Sequence, residues 1–189
     1  MDLYGQLKYR ISEQQFAVRS ITGKDVTKEY VEALMKQRAY LTNNPESITI
    51  DWQKRYVENI RRSQADALCG LFRTSQLIAT AGVQNVRAGE TTTIGIFVLD
   101  ENARGLGFGK AVLWSTCHLV YEIYNVGSFE AGVKNSNVPS MRSFLSVGFG
   151  VKEERSDSYR FRLEINQLRK PENIEDVILD RTPCGISSS

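Results

Sequence analysis

Polar and apolar side chains alternate through residues 14–20 (QQFAVRS), the period-two pattern of a strand with one buried face. The period then lengthens. Thr22 or Asp25 can cap a helix whose apolar side carries Val26, Tyr30, Leu34 and Leu41, and Asn43, Asn44 and Pro45 break the chain after it. A second amphipathic helix follows Thr49 or Asp51, with Trp52, Tyr56 and Ile60 four apart, and ends near Ser63. Two strand-like runs, 67–73 and 77–84, are joined by a turn at Thr74, Ser75 and Gln76. The run 91–99 is rich in β-branched residues and continues the series as a strand. From Phe108 to Tyr124, a stripe at positions 112, 113, 116, 119, 120 and 123 predicts a helix with one buried side. Residues 128–134 read as a strand, and 138–147 as a short helix capped by Asn137 and left at Gly148. A hairpin of 149–154 with 157–165 closes the series. The predicted order is β-α-α-β-β-β-α-β-α-β-β.

The 189 residues can bury a proper core, and one domain is the default expectation, over residues 1–168. Residues 169–189 are expected to form a partly disordered extension, polar apart from a patch at Ile174, Val177, Ile178 and Leu179. Hydrophobic residues at 41% and charged ones at 24% exclude disordered and fibrous classes. The 24 Lys and Arg against 22 Asp and Glu leave a charge of +2, too balanced to predict nucleic-acid binding. The first ten residues lack the apolar run of a signal peptide, and no stretch approaches a membrane span. Cys69, Cys117 and Cys184 show no CxxC spacing. Cys69 and Cys117 read as small hydrophobes in a reducing compartment, and the expected address is the cytoplasm.

Chemistry concentrates in Arg104-Gly105-Leu106-Gly107-Phe108-Gly109-Lys110, between a β-rich run and a helix. Its glycines let backbone approach a ligand without Cβ clashes, and its amides join the free N–H groups of the following helix as an anion site. A diphosphate is the natural guest. A Walker loop would need Gly where Arg104 stands and Ser or Thr where Ala111 stands. The dinucleotide fingerprint fails because Lys110 occupies its third glycine position. A third pattern, [Gln/Arg]xxGx[Gly/Ala], is met in full by Arg104, Gly107 and Gly109. A plain glycine-rich turn would show the same three residues. A second segment meets NxxAxxx[Tyr/Phe]xxxGF through Asn137, Ser140 (at the Ala position), Phe144, Gly148 and Phe149.

On these two motifs and the element order, residues 14–165 resemble the Gcn5-related N-acetyltransferases. The resemblance implies an α/β (α+β) fold: one domain with a mixed, mostly antiparallel sheet of about seven strands and four helices. It implies acetyl-CoA as co-substrate, no metal, and a small-molecule amine acceptor, in a monomer or homodimer. The backbones of Phe97, Val98 and Leu99 would bond the pantetheine arm. The amides from Gly105 through Lys110, including Leu106 and Phe108, would cradle the pyrophosphate beside Arg104. Asn137, Ser140 and Phe144 would line the cofactor, Asn137 doubling as a helix cap. Many members carry at the Phe144 position a tyrosine that protonates the departing thiolate; Phe144 has no hydroxyl to give. Gly132 stands where some relatives have a catalytic glutamate, which leaves Glu130, two residues earlier on the same face, as a possible base. Glu90 and Asp100 are further carboxylates, and His118 lies within the long helix, where a structural role is the commoner one.

The first two helices resemble the branch with ribosomal-protein N-terminal and nucleotide-amino-sugar acetyltransferases. They point to a nucleotide-linked amino sugar, with Trp52 and Tyr56 to stack and Arg38 to take a phosphate. Core packing is the plainer role for Trp52 and Tyr56. A protein or peptide N-terminal acetyltransferase and a non-catalytic acetyl-CoA-binding module are the alternatives.

Overall fold

The computed structural model describes residues 1–38, 46–100, 103 and 105–181. Its strands are β1 (Gln6–Ile11), β2 (Gln14–Ser20), β3 (Ala67–Arg73), β4 (Gln76–Gln84), β5 (Thr91–Val98), β6 (Ser128–Lys134), β7 (Gly150–Glu154), β8 (Ser158–Glu164) and β9 (Ile174–Asp180). The α-helices are α1 (Lys28–Lys36), α2 (Ile50–Arg62), α3 (Phe108–Tyr124) and α4 (Val138–Ser146). One sheet holds all nine strands in the order β7-β8-β6-β5-β4-β3-β2-β1-β9. Every neighbouring pair is antiparallel except β5 with β6.

The helices begin where hydroxyls satisfy free amides. Thr27 Oγ1 accepts from Tyr30 N at 3.2 Å to start α1, and Thr49 Oγ1 accepts from Trp52 N at 3.1 Å to start α2. Thr22 and Asp25 instead form a capping box on a short 3-10 turn. Leu41, expected on the first helix, lies outside the described residues.

Two apolar clusters lie on opposite faces of the sheet. On one face α3 and α4 cover Leu71, Ile94, Phe129 and Phe161, among others. On the other, α1 and α2 cover Phe72 with Leu68, Leu77, Phe97 and Leu99. The second cover is incomplete: Thr93, Gly95, Gly132 and Arg160 of β5, β6 and β8 are exposed on that face. Cys69 and Cys117 are buried free thiols, and burial pushes Cys69 up to about 12.

The sheet has two strands more than expected. In β1, Leu7, Tyr9 and Ile11 are buried and pair with β2. The segment read as a polar extension carries β9, which closes the far edge against β1. Among the described residues no helix is long and apolar enough to cross a membrane.

Candidate active site

The ladder between β5 and β6 is short. It pairs Thr91 with Ser128, Thr92 with Phe129 and Thr93 with Glu130, then ends, although both strands run on. A gap opens between them. On its other edge β5 stays paired with β4: Leu99 N donates to Ile78 O at 3.0 Å, and Phe97 stands opposite Thr80. By antiparallel alternation, the polar groups of Val98 and Ile96 face the gap, while those of Phe97 and the N–H of Leu99 face β4. Of the three backbones expected to serve the pantetheine, Val98 is the one aimed at the gap, and Ile96 joins it.

Gln37, just past the end of α1, reaches this edge. Its buried side-chain amide donates to Val98 O at 3.2 Å and Leu99 O at 3.3 Å. Nothing in the sequence distinguishes this glutamine from a surface residue at a helix end. A cleft of about 320 Å³ beside it is lined by Glu29, Glu32, Lys36, Leu99 and Asp100, among others.

The glycine turn opens α3 at the mouth of the gap. Gly105 and Gly107 have φ of +85° and +87°, left-handed values that strain other residues. Leu106 between them is exposed, and Phe108 packs its ring 5.7 Å from that of Phe16. Ala111 N is the first helical donor, to Gly107 O at 3.0 Å, which leaves the amides of Phe108, Gly109 and Lys110 without intrahelical partners among the described residues. A Cβ on Gly107 would lie 3.0 Å from Lys110 Cε, and one on Gly109 would lie 2.9 Å from Ser143 Oγ of α4. Glycine thus keeps the wedge between α3, α4 and β5 open, and the free amides make it suitable for a diphosphate. Arg104 lies outside the described residues.

Asn137 caps α4, its Oδ1 accepting from Ser140 N at 3.3 Å. Phe144 is buried, edge-on to Phe149 (centroids 4.9 Å apart, 87°) and stacked on Phe161 (5.9 Å, 14°).

The Glu130 carboxylate accepts from Lys152 Nζ at 2.7 Å and Arg162 Nη1 at 2.9 Å, with Arg160 at 3.5 Å. The hydrogen bond from Lys152, with that from Arg162 behind it, holds its carboxyl below the usual carboxylate range. That is the opposite of what a base for an ammonium acceptor requires.

Trp52 and Tyr56 belong to neither apolar cluster. Their rings stack on each other at 5.6 Å and 3°, with Trp52 38% exposed. Arg38 donates to Glu46 O at 2.9 Å across the ends of the segment it precedes. His118 stacks on Trp114 on α3 at 5.3 Å, and burial lowers its pKa. Among the described residues, no three His, Cys, Asp or Glu side chains gather as a metal site.

Residues 29–149 match the family described as Acetyltransferase (GNAT) family. No curated protein sequence matches the chain. Among solved structures, RimJ of Mycobacterium smegmatis in complex with CoA-disulfide is similar at a TM-score of 0.74 and 15% identity, over 88% of this chain and 90% of that one. N-acetyltransferase PseH of Campylobacter jejuni in complex with acetyl coenzyme A gives 0.58 at 17% identity, over 78% and 98%. Spermidine N-acetyltransferase of Vibrio cholerae in complex with CoA and spermine gives 0.66 at 13% identity, over 80% and 96%.

Proposed function

The chain belongs to the GNAT acetyltransferase family and is an acetyl-CoA-dependent N-acetyltransferase, and we propose that its acceptor is a nucleotide-linked amino sugar. The observation that carries the acceptor reading is the Trp52–Tyr56 stack. Two parallel, stacked rings outside both cores, one of them open to solvent, present an apolar face of the kind on which a base or sugar ring stacks.

In this reading the pantetheine arm lies in the β5–β6 gap against Ile96 and Val98, and the pyrophosphate sits on the amides of Gly105 through Lys110. The acetyl group then reaches the sheet face that α1 and α2 leave bare. The neutral amine nitrogen attacks the thioester carbonyl directly, the C–S bond breaks, and the sulfur leaves as a thiolate. A CoA thiol is acidic enough to leave without a side-chain acid, which suits a chain with Phe144 at that position. The amine's proton passes to water, since three cations hold Glu130 in its ionised form. Acetyl-CoA supply and two buried free thiols suit a cytoplasmic setting.

Free-thiol release from acetyl-CoA, measured against nucleotide-linked amino sugars, polyamines, amino acids and peptides, tests the acceptor. Highest kcat/KM on a nucleotide-linked amino sugar is expected. Preference for a peptide N-terminus would replace this reading with the protein-directed one, and turnover of no amine would leave a binding module.

A further inference from the structure

Three glycines stand in a row across three adjacent strands. Gly82 of β4 is the register partner of Gly95 of β5. Gly132 of β6 lies two positions past the last β5–β6 pair, Thr93 with Glu130, as Gly95 does on β5. Each alternates with buried residues (Ala81 and Val83, Ile94, Ala131 and Val133), so all three face away from α3.

Neither backbone nor packing asks for glycine there. None of the three has the left-handed φ that glycine alone tolerates well. A Cβ on Gly95 or Gly132 would meet no atom within 4 Å, and one on Gly82 would touch only Leu68 Cδ1, at an ordinary 3.8 Å. Glycine inside a strand costs stability, so an uncrowded row of three needs another reason; close approach of a ligand is one.

The row forms a trench without side chains, crossing the sheet at the gap. At the Gly82 end stands Leu68, packed against the α1 and α2 cluster. At the Gly132 end stands its register partner, Arg160. Arg160 is loosely held, with Glu130 at 3.5 Å and Glu153 at 3.7 Å, whereas Arg162 has partners at 2.6 Å and 2.9 Å. Lys152 stands on the same side of Glu130, and Lys152, Arg160 and Arg162 share the carboxylates of Glu130, Glu153 and Glu164.

We propose that Gly82, Gly95 and Gly132 form the floor on which the acceptor lies flat, its amine over the gap. The occupant that fits is a sugar ring, which can lie flat on backbone bare of side chains. The inference rests on the reading that the acetyl group emerges on this face, and it deepens that reading by assigning the acceptor's path.

The test uses Gly95→Val and Gly132→Val in the full chain. Because a valine side chain meets open space and suits a strand, the melting temperature is expected to hold or to rise by about 2–4 °C. The rise in melting temperature on adding acetyl-CoA should persist. Transfer to a nucleoside diphosphate-linked amino sugar should fall by about 100-fold or more in kcat/KM, because the floor is raised under the amine. Valine variants that acetylate as fast as wild type would overturn the trench, as would a collapse of their stability. If wild type prefers an unphosphorylated amine, the acceptor reading fails, and the valine variants still decide the floor with that amine.

Discussion

The side-chain amide of Gln37 bonds the Val98 carbonyl, at 3.2 Å, on the edge of β5 that faces the gap. One residue thereby ties the end of α1, on the side of the sheet proposed to take the acceptor, to the strand edge proposed to hold the pantetheine. Leucine at 37 keeps the volume and removes the donor. Gln37→Leu should lower unfolding free energy by about 1–2 kcal/mol, the cost of leaving partly buried carbonyls unpaired. KM for acetyl-CoA should rise while kcat changes by less than about threefold. Denaturant melts and steady-state kinetics read the two effects separately; an unchanged KM would confine Gln37 to a structural role.

Gly107→Val and Gly109→Val should abolish acetyl-CoA binding for different reasons. At Gly107 the φ of +87° strains a β-branched residue. At Gly109 the new side chain fills the wedge toward Ser143 and Ile96. Acetyl-CoA should raise the melting temperature of wild type and leave the folded variants unmoved. A full ligand-induced shift in either folded variant would remove the glycine turn from the site.

Legibility in the sequence followed the alternation of side chains. Strands 67–73 and 128–134 and helix 108–124 have the bounds their patterns predict, because each buries one regular face. β1 alternates as well, but it turns into β2 through Ser12 and Glu13 at φ of 47° and 66°, without the glycine or asparagine that usually marks a hairpin. β9 hides its alternation behind a register shift opposite Lys8 and Arg10, where Asp176 takes a φ of 48°. At the site, the glycine turn was legible because chemistry demands its spacing. Gln37 and the Gly82–Gly95–Gly132 row were not, since only strand register and a long-range contact bring them into place.

Glu130 gives a prediction in pH. Its folded-state pKa is lowered, with the Lys152 hydrogen bond the largest favourable cause. Its contribution to stability is therefore fully present above the unfolded-chain value, about 4.3, and is lost as pH falls through the lower folded value. That window lies far below neutrality. Glu130→Gln should leave any acid limb of kcat/KM between about pH 6 and 9 where it is and change kcat by less than about tenfold. A hundredfold loss of kcat, with the acid limb gone, would make Glu130 the base after all.

Phe144 stands where many members of the family carry an acid, yet its ring is packed in the core between Phe149 and Phe161. Removing the ring leaves a cavity, and Phe144→Ala should cost about 3–5 kcal/mol and weaken acetyl-CoA binding by loosening α4. Phe144→Tyr adds a hydroxyl to an apolar site and should cost about 1–3 kcal/mol if that group stays unpaired. An enzyme that releases its thiolate without a side-chain acid gains nothing from the new hydroxyl, so kcat for Phe144→Tyr should stay within about tenfold of wild type. Thermal melts and single-turnover rates, measured on the same preparations, separate the stability cost from the chemistry. A hundredfold gain in rate would show that wild type lacks an acid it needs, and would favour the binding-module alternative over transfer to an amino sugar.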